Sequence, residues 1–464
     1  MSSNKRTADL EISVAPIETP TCEAMRAALV IHPGPGVTCT STSPGESARG
    51  GTYALLNEET TEALLHQHES ARSAPGIKCF SSQLPVNTPN EDRCSTHLLS
   101  EADLAGLVES AIRGPGGFWR AWDELVDGKK ADDELRSSWV MSSVIDGLAR
   151  GEVADTINRV LHASLAFALG CQENRDDGSI KSIITKVYEQ IDQAIISAPQ
   201  NFLNPNPCTP ASTLLPPGCT ALLGAAGLLY PSSGAVAATV LLDLTRQRVY
   251  VASLGDCRVL LGWKDEHGKW GTKDTGVGHT VKNEKEIELL MKRHQNESRD
   301  QLISPINGFI KGMASHTRCF GKPDSKVPPL HDDRNEPYFF HDRSMRALGI
   351  LLPKIPTQQD LPGAPYILST PEVACTVLEK KGAKLKFIVL ATDGVTDRLS
   401  SKEIVHLVAG QLERSAPVSP LTDDNPATGL IRAAIGGGDP RTRQILLSLG
   451  APMGRAMRDD MTVT

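Results

Sequence analysis

The chain has 464 residues, of which 40% are hydrophobic and 22% charged, and its formal net charge is −7. This length suffices for one large domain with additions or for two domains. The acidic balance argues against a general binder of nucleic acid or of anionic membranes, because no basic excess is present to neutralise phosphates. The ten cysteines are irregularly spaced and form no CxxC pair, which suits reduced thiols in an intracellular compartment rather than a disulfide framework.

The N-terminal segment, residues 1–75, is rich in Ser, Thr, Pro and Gly. We predict that it is a poorly ordered leader, with a docking segment as the alternative. Its first twenty residues contain Lys5 and Arg6 but also three acidic residues, Asp9, Glu11 and Glu18. A mitochondrial targeting helix is rich in Arg and poor in acid, so this pattern supports such a signal only weakly.

From residue 76 to residue 464 the pattern predicts one folded domain. Hydrophobic periodicity predicts helices over 151–170, 283–293 and 425–435, and a capping box opens another helix at Ser400. Apolar runs predict strands over 139–145, 220–229, 235–242, 248–254 and 258–263, the last two joined by a tight turn at 255–257. A turn at 231–234 interrupts the apolar stretch 219–244, which therefore does not read as a membrane span. Because strands cluster with strands, we predict an α+β fold with mostly antiparallel sheets and surface insertions at 101–138, 172–217 and 322–365.

Several carboxylates stand where predicted strands begin or end. A buried strand from residue 387 leads into Asp393-Gly394, a pair that taken alone favours a turn. The chain presents four such acidic motifs: Glu91-Asp92, Asp146-Gly147, Asp393-Gly394 and Asp459-Asp460. Hard divalent cations such as Mg²⁺ and Mn²⁺ prefer oxygen ligands, mostly carboxylates and water. If one sheet gathers these ends, the motifs can form a metal site.

Nine short motifs, in this order, resemble those of the metal-dependent PP2C-type (PPM) serine/threonine phosphatases. The resemblance is closer to the pyruvate dehydrogenase phosphatase branch of that family. The matching segments are 82–93, 144–147, 218–220, 249–258, 279–284, 318–321, 391–394, 430–432 and 458–462. The resemblance implies a PP2C-like β-sandwich of two antiparallel sheets flanked by helices, with a metal centre in a cleft at one end.

The same resemblance implies a set of metal ligands for two Mg²⁺ or Mn²⁺ ions. Asp146 would bridge both ions, and the carbonyl group of Gly147 would bind one of them. Asp393 and Asp459 would bind the other ion. The acidic pair beside the site, acting partly through metal-bound water, would be Glu91-Asp92. Two ions about 3.5–4 Å apart activate a shared water, which attacks phosphorus in line.

The resemblance also implies a phosphoprotein substrate and, through the branch, a mitochondrial location with the pyruvate dehydrogenase complex as partner. Without a clear targeting signal, a cytoplasmic location is the alternative.

Several positions depart from the family pattern. Leu148 stands where most members have the histidine that protonates the leaving group, and general acid catalysis contributes about 10²–10⁴-fold. Gly278 and Lys322 each stand where an Asp is expected, and His316 is the one substitute proton donor that the sequence offers. Asn87 replaces a phosphate-binding arginine, a difference shared with the pyruvate dehydrogenase phosphatase branch. In the family a further strand normally follows the position of Thr464, so we expect either a truncated C-terminus or the loss of that strand.

These departures leave two functions open. The first is an active phosphatase with reduced speed, in which Asp146, Asp393 and Asp459 keep the metal nucleophile. The second is a pseudophosphatase that acts as a binding or regulatory module. Turn formation is the simpler role for Asp256, and the histidines show no metal-ligand spacing.

Overall fold

A computed structural model gives the fold of the chain. It describes residues 29–30, 36–41, 49–74, 76–127, 137–198, 214–230, 232–276, 278–327, 363–413, 423–450 and 453–464. The described strands are β1 (Leu29–Val30), β2 (Gly36–Ser41), β3 (Arg49–Ala54), β4 (Ser70–Ala74), β5 (Ile77–Leu84), β6 (Arg93–Leu99), β7 (Trp139–Leu148), β8 (Gly234–Asp243), β9 (Arg248–Leu254), β10 (Arg258–Lys264), β11 (Trp270–Asp274), β12 (Phe320–Gly321), β13 (Glu372–Val377), β14 (Glu379–Lys380), β15 (Ala383–Ala391) and β16 (Met461–Val463).

The helices frame these strands on both sides. The described helices are α1 (Glu58–His66), α2 (Glu101–Ala111), α3 (Pro115–Asp127), α4 (Glu152–Gly170), α5 (Asp177–Ile196), α6 (Cys219–Leu229), α7 (Glu284–Arg293), α8 (Arg299–Leu302), α9 (Pro323–Lys326), α10 (Asp393–Thr396), α11 (Ser401–Leu412), α12 (Pro426–Ala434), α13 (Pro440–Ser448) and α14 (Met453–Met457). Within the described ranges no helix is both long and apolar enough to cross a membrane.

Two antiparallel sheets form the centre of the molecule. Sheet I has the strand order β13-β9-β8-β7-β6, with β12 paired to β8. Sheet II has the order β11-β10-β15-β16-β5-β4, with β14 paired to β15. The first three strands make a separate small sheet. Two antiparallel sheets with helices on their outer faces confirm the predicted α+β fold.

The side chains of β7 alternate between two cores, as the period of two in a strand requires. Its odd-numbered residues, such as Met141 and Ile145, pack against α4 and α5 in an outer core. Its even-numbered residues, such as Val140 and Val144, pack toward sheet II in the core between the sheets. A third core lies under α11 and α12 on the far side of sheet II. The sandwich therefore has helices, sheet, sheet and helices in four layers.

The predicted strand over 220–229 is wrong, because these residues form helix α6. After Thr220 the segment consists of Ala, Leu and Gly and has no β-branched residue. Ala and Leu have high helix propensity, and the apolar run carries no period-2 alternation that would favour a strand. The apolar stretch 219–244 is thus a helix followed by a strand.

One predicted strand end and one predicted hairpin turn also differ from the structure. Strand β7 does not end at Asp146 but continues to Leu148, paired with β8 throughout. The turn at 255–257 does not close a hairpin, because β9 belongs to sheet I and β10 to sheet II. Gly255 has a φ of 98°, and a Cβ there would lie 2.2 Å from Val236 Cβ. This turn carries the chain from one sheet to the other.

Part of the segment predicted to be a disordered leader is ordered. Helix α1 begins with Asn57 as its N-cap, and Leu65 is fully buried in the third core. The Arg432 side chain of α12 donates two hydrogen bonds of 2.6 Å to Glu62 of the same helix α1. The prediction of disorder is corrected for residues 49–74. Residues 1–28 of that segment lie outside the described residues.

The segments predicted as surface insertions contain packed helices where they are described. The first contains α2 and α3, which bury Leu104 and Phe118 in the outer core, and the second contains α5, which buries Tyr188 there. Of the third, residues 328–362 lie outside the described residues. The predicted helices at 151–170, 283–293, 401 onward and 425–435 are confirmed as α4, α7, α11 and α12.

Candidate metal centre

Carboxylates from both sheets lie at one end of the sandwich. Asp146 lies near the end of β7 in sheet I, on the face directed toward sheet II. Asp393 follows the end of β15 in sheet II and begins the short helix α10. Asp92 lies in the loop between β5 and β6, and its Oδ2 accepts a 2.7 Å hydrogen bond from Thr392 Oγ1. The sequence therefore brings Asp92, Asp146 and Asp393 together, although 301 positions separate Asp92 from Asp393 along the chain.

Burial and mutual repulsion make this acidic cluster unfavourable in the charged state. Burial raises the pKa of Asp92 to about 7, and burial with the nearby charge of Asp256 raises the pKa of Asp393 to about 7. The pKa of Asp146 is also raised, by burial first and then by the charges of Asp92 and Asp393. The side chains of Asp92 and Asp146 are in hydrogen-bonding contact.

Such a cluster needs positive charge to ionise fully, and oxygen donors suit hard divalent cations. The residues present therefore fit a group of Mg²⁺ or Mn²⁺ ions. Within the described ranges, however, no three His, Cys, Asp or Glu side chains already converge on one metal position. The predicted ligand Asp459 forms an ion pair with Arg455 of α14, and its Oδ1 accepts a 2.7 Å hydrogen bond from Asp460 N. The ligand set derived from the sequence stays a prediction.

Asp459 and its neighbour Asp460 have different environments. Asp460 is buried, and its carboxylate accepts four hydrogen bonds from the loop between β5 and β6. The donors are Val86 N at 2.5 Å, Asn87 N at 2.9 Å, Asn87 Nδ2 at 2.8 Å and Glu91 N at 2.8 Å. Asp459 is partly exposed, with 39% of its side chain accessible. Asp460 thus fixes the loop that carries Glu91 and Asp92, while the partly exposed Asp459 pairs with Arg455.

The two Asp-Gly pairs need glycine for close approach of backbones rather than for a special turn. A Cβ on Gly394 would lie 2.0 Å from Asp460 O. A Cβ on Gly147 would lie 2.8 Å from Arg150 O and 2.9 Å from Glu91 O. Each glycine therefore brings one acidic motif directly against another.

Arg455, which the sequence motifs did not indicate, is a cation beside this cluster. Its guanidinium lies 3.8 Å from Glu91 Oε2 and pairs with Asp459. Burial raises the pKa of Glu91, and the charge of Arg455 partly offsets that rise. The spacing of four residues between Arg455 and Asp459 was the available signal.

Asp256 does more than form a turn. Its Oδ2 lies 3.0 Å from His316 Nε2, and the other ring nitrogen of His316 lies 3.2 Å from Ser315 Oγ. Burial alone would raise the pKa of Asp256, but His316 beside it holds that pKa below its usual value. The resulting negative charge acts on Asp146 and Asp393. His316, considered from the sequence as a substitute proton donor, is a partner of Asp256 in the structure.

The structure also defines the environment of His162, a residue of helix α4. This side chain is buried, and its ring nitrogens lie 2.7 Å from His97 Nδ1 and 2.7 Å from Ser143 Oγ. Burial, followed by the nearby His97, holds the pKa of His162 well below its usual value. His162 is therefore a neutral member of the outer core, remote in role from the acidic cluster.

Comparisons with known proteins find relatives of this chain. The family model for protein phosphatase 2C matches residues 120–438. The chain is 25% identical over 496 residues to the mitochondrial [pyruvate dehydrogenase [acetyl-transferring]]-phosphatase 1 of Saccharomyces cerevisiae, a match that covers 93% of this chain and 76% of the yeast protein. It is 29% identical over 246 residues to the mitochondrial [pyruvate dehydrogenase [acetyl-transferring]]-phosphatase 2 of Homo sapiens. That second match covers 47% of this chain and 44% of the human protein.

Among solved structures, the crystal structure of serine-threonine phosphatase 2C from Toxoplasma gondii aligns with 83% of this chain and 93% of that chain. The TM-score is 0.43 and the sequence identity is 15%.

Proposed function

The chain belongs to the protein phosphatase 2C family, and from this membership we propose that it hydrolyses phosphoserine and phosphothreonine with water activated at a two-metal centre. As a PPM-type protein serine/threonine phosphatase it acts on phosphoproteins. The observation that carries the mechanism is the cluster of the buried Asp92 with the half-buried Asp146 and Asp393, gathered at one end of the two sheets. Carboxylates that repel one another in a buried place are stable when cations share the site.

In the proposed site Asp146 and the Gly147 carbonyl would hold one Mg²⁺ or Mn²⁺ ion, and Asp146, Asp393 and Asp459 would hold the other. Such ions, when bound, would lower the pKa of water and supply a nucleophile near neutral pH. Other residues of the chain hold these carboxylates in position. Asp460 holds the loop of Glu91 and Asp92, and Thr392 orients Asp92 through its hydroxyl group.

Phosphopeptide hydrolysis by the purified full chain tests this proposal. We expect turnover in the presence of Mn²⁺, loss of turnover in excess EDTA, and loss in Asp393→Ala. Asp424→Ala is the matched control, because Asp424 is an exposed carboxylate near the start of α12. Absence of Mn²⁺-dependent turnover by the wild-type chain would refute the proposal, provided that its circular dichroism spectrum shows a folded protein.

We also propose a mitochondrial phosphoprotein substrate, the pyruvate dehydrogenase complex, because two of the relatives carry that activity and location in their names. The test compares turnover of the phosphorylated pyruvate dehydrogenase complex with turnover of phosphocasein at equal phosphate concentration. A preference for the complex of at least about tenfold in kcat/KM, or about 1.4 kcal/mol, supports this substrate. Equal values contradict it. Turnover of either substrate would also contradict the alternative of a binding module without activity. No observation in the described site favours that alternative.

A further inference from the structure

The far end of the β7–β8 pair lies two residues beyond Asp146. In this register Asp146 is opposite Val236, and Leu148 is opposite Gly234. Residues two apart on a strand share a face, and so do directly opposed residues of an antiparallel pair. The face of the strand pair that packs toward sheet II therefore carries Asp146 and Leu148, and Gly234 leaves a space on it. Val236 and Leu148 of this face pack in the core between the sheets.

The side chain of Lys322 covers this end of the face. A Cβ on Gly234 would lie 2.7 Å from Lys322 Cγ and 3.3 Å from Lys322 Cδ. The aliphatic part of Lys322 thus occupies the space that a side chain at position 234 would need. Lys322 consequently lies beside Leu148 and on the same face as Asp146. We call Leu148, Gly234 and Lys322 the Lys322 corner.

The backbone of Lys322 is held in an unfavourable conformation. Its φ of 52° and ψ of 57° are left-handed, a region that residues with a Cβ rarely adopt. Lys322 N donates a 2.8 Å hydrogen bond to Ser233 O, and Gly321 N donates one of 2.7 Å to the buried Asp192. The fold therefore imposes this conformation on Lys322, as it does for strained residues at functional sites.

The positive charge of Lys322 has no carboxylate partner in the part of the chain that the structure describes. Its neighbours differ in this respect. The ammonium group of Lys326 is buried against Asp192 at 2.7 Å, and Arg150 has Glu152 at 3.9 Å. Among the described residues, the ammonium of Lys322 is the cation at this corner that remains available for an external anion.

We propose that Lys322 is a substrate-binding residue whose ammonium group contacts the phosphate of the phosphorylated side chain. This inference rests on the proposed phosphatase function. A phosphate dianion next to Asp92, Asp146 and Asp393 experiences repulsion that the chain itself must help to offset. A lysine ammonium binds phosphate as a compact point charge with three donors. Lys322 supplies that charge on the same face as Asp146.

Three variants test the proposal in the full-length protein. Lys322→Gln removes the charge and keeps most of the aliphatic stem, Lys322→Arg restores a charge, and Lys380→Gln is the matched control. Lys380 is exposed in β14, which pairs with the start of β15, at the opposite end of that strand from Asp393. The measurements are kcat and KM for a phosphopeptide with Mn²⁺, and the inhibition constant of inorganic phosphate.

We expect Lys322→Gln to raise both KM and the inhibition constant of phosphate about tenfold, the size of one lost charge-assisted hydrogen bond. The effect on kcat is smaller, because the cation binds phosphate before and during reaction. Lys322→Arg stays within about threefold of wild type, and Lys380→Gln is unchanged. Added salt weakens phosphate inhibition of the wild type more than that of Lys322→Gln.

An unchanged phosphate inhibition constant in a folded, active Lys322→Gln protein overturns the proposal. Thermal melting of each variant separates this outcome from a folding defect. If the wild-type chain itself shows no turnover, the proposed function fails, and calorimetric titration of the Mn²⁺-loaded protein with inorganic phosphate then decides the role of Lys322. Equal phosphate affinity in wild type and Lys322→Gln contradicts that role as well, whereas weaker binding by Lys322→Gln supports it.

Discussion

The acidic cluster and the Lys322 corner lie at neighbouring points of the same strand pair but are built in different ways. Asp92 is buried, Asp146 and Asp393 are half-buried, and burial together with neighbouring carboxylates raises the pKa of all three side chains. At the corner, an apolar Leu148 stands next to a lysine without a carboxylate partner among the described residues. We propose that the first region binds cations and that the second accepts an anion.

This contrast assigns different parts of the proposed reaction to the two regions. The acidic cluster serves the nucleophile, because it provides the oxygen donors for metal ions. The corner serves the phosphoryl group and the leaving group, and it is where this chain departs from the family pattern. A substitution in one region should therefore leave the measured properties of the other region unchanged. The four predictions below test this separation.

The largest effect is expected from Asp146→Asn. The substitution removes a carboxylate whose charge is opposed by burial and by Asp92 and Asp393. We expect phosphopeptide turnover to fall by about 10³-fold, a magnitude typical of removing a preorganised electrostatic group. In excess EDTA at pH 8 the variant should melt at a higher temperature than wild type, because an unfavourable buried charge is gone. Loss of activity without higher stability would show that Asp146 is not electrostatically strained in the metal-free protein.

The next largest effect should distinguish Asp460 from Asp459. Asp460→Ala leaves four donors of the β5–β6 loop without their acceptor, and we expect a loss of about 3 kcal/mol in the free energy of unfolding. Asp459→Ala removes a partly exposed group and should change stability by less than about 1 kcal/mol. Urea unfolding in EDTA measures both values.

Activity provides the matching control for this pair. Asp459→Ala should abolish Mn²⁺-dependent turnover while the protein remains folded. If Asp459→Ala is as active as wild type, Asp459 does not belong to the metal centre and the cluster is limited to residues from β7, α10 and the β5–β6 loop.

Replacement of Leu148 by histidine changes the corner and not the acidic cluster. General acid catalysis contributes about 10²–10⁴-fold, so we expect Leu148→His to raise kcat by about 10²-fold, or about 2.7 kcal/mol, at the low end of that range. The affinity for Mn²⁺ should stay within about twofold, because Leu148 is no ligand. Leu148→Phe is the control for steric change and should bring no gain. An unchanged kcat in Leu148→His would indicate that the scaffold does not present this position to the leaving group.

Much of the fold could be predicted from local patterns. Caps and periodicity identified α4, α7, α11 and α12, whose N-termini the structure places at Gly151, Asn283, Ser400 and Asn425. Helix α6 was missed because an apolar run without alternation fits either a buried strand or a buried helix. The crossing from sheet I to sheet II at Gly255 was also missed, since a tight turn looks the same whether it closes a hairpin or connects two sheets.

The candidate site was predictable to the extent that it depends on residue type. Acidic motifs beside strand ends pointed to Asp146 and Asp393, and the sandwich gathers both. The different roles of Asp459 and Asp460 were not predictable, because they depend on which carboxylate faces the β5–β6 loop. The position of Lys322 over Gly234 depends on strand register and on a left-handed backbone, neither of which a single sequence displays.

The smallest effect concerns pH and isolates the acidic cluster. The pKa values of Asp92 and Asp393 are about 7 in the folded protein, against an ordinary value of 3.8. Their contribution to stability is fully present below the unfolded value and is lost as pH rises through about 7. Buried His162 and His279 have lowered pKa values, so their contribution is lost as pH falls below about 6.5. A window from pH 6.5 to pH 8 therefore reports mainly on the carboxylates.

In excess EDTA we expect the free energy of unfolding to fall by about 1–2 kcal/mol between pH 6.5 and pH 8. Asp393→Asn should show about half of that decrease, because one of the two titrating groups is gone, whereas Lys322→Gln should keep the full slope. Added Mn²⁺ should reverse the decrease at pH 8, since cations stabilise the ionised carboxylates. A slope in Asp393→Asn equal to that of wild type would mean that Asp393 does not titrate in this range, and the proposed division between an acidic, cation-binding region and an anion-binding corner would then rest on Asp92 and Asp146 alone.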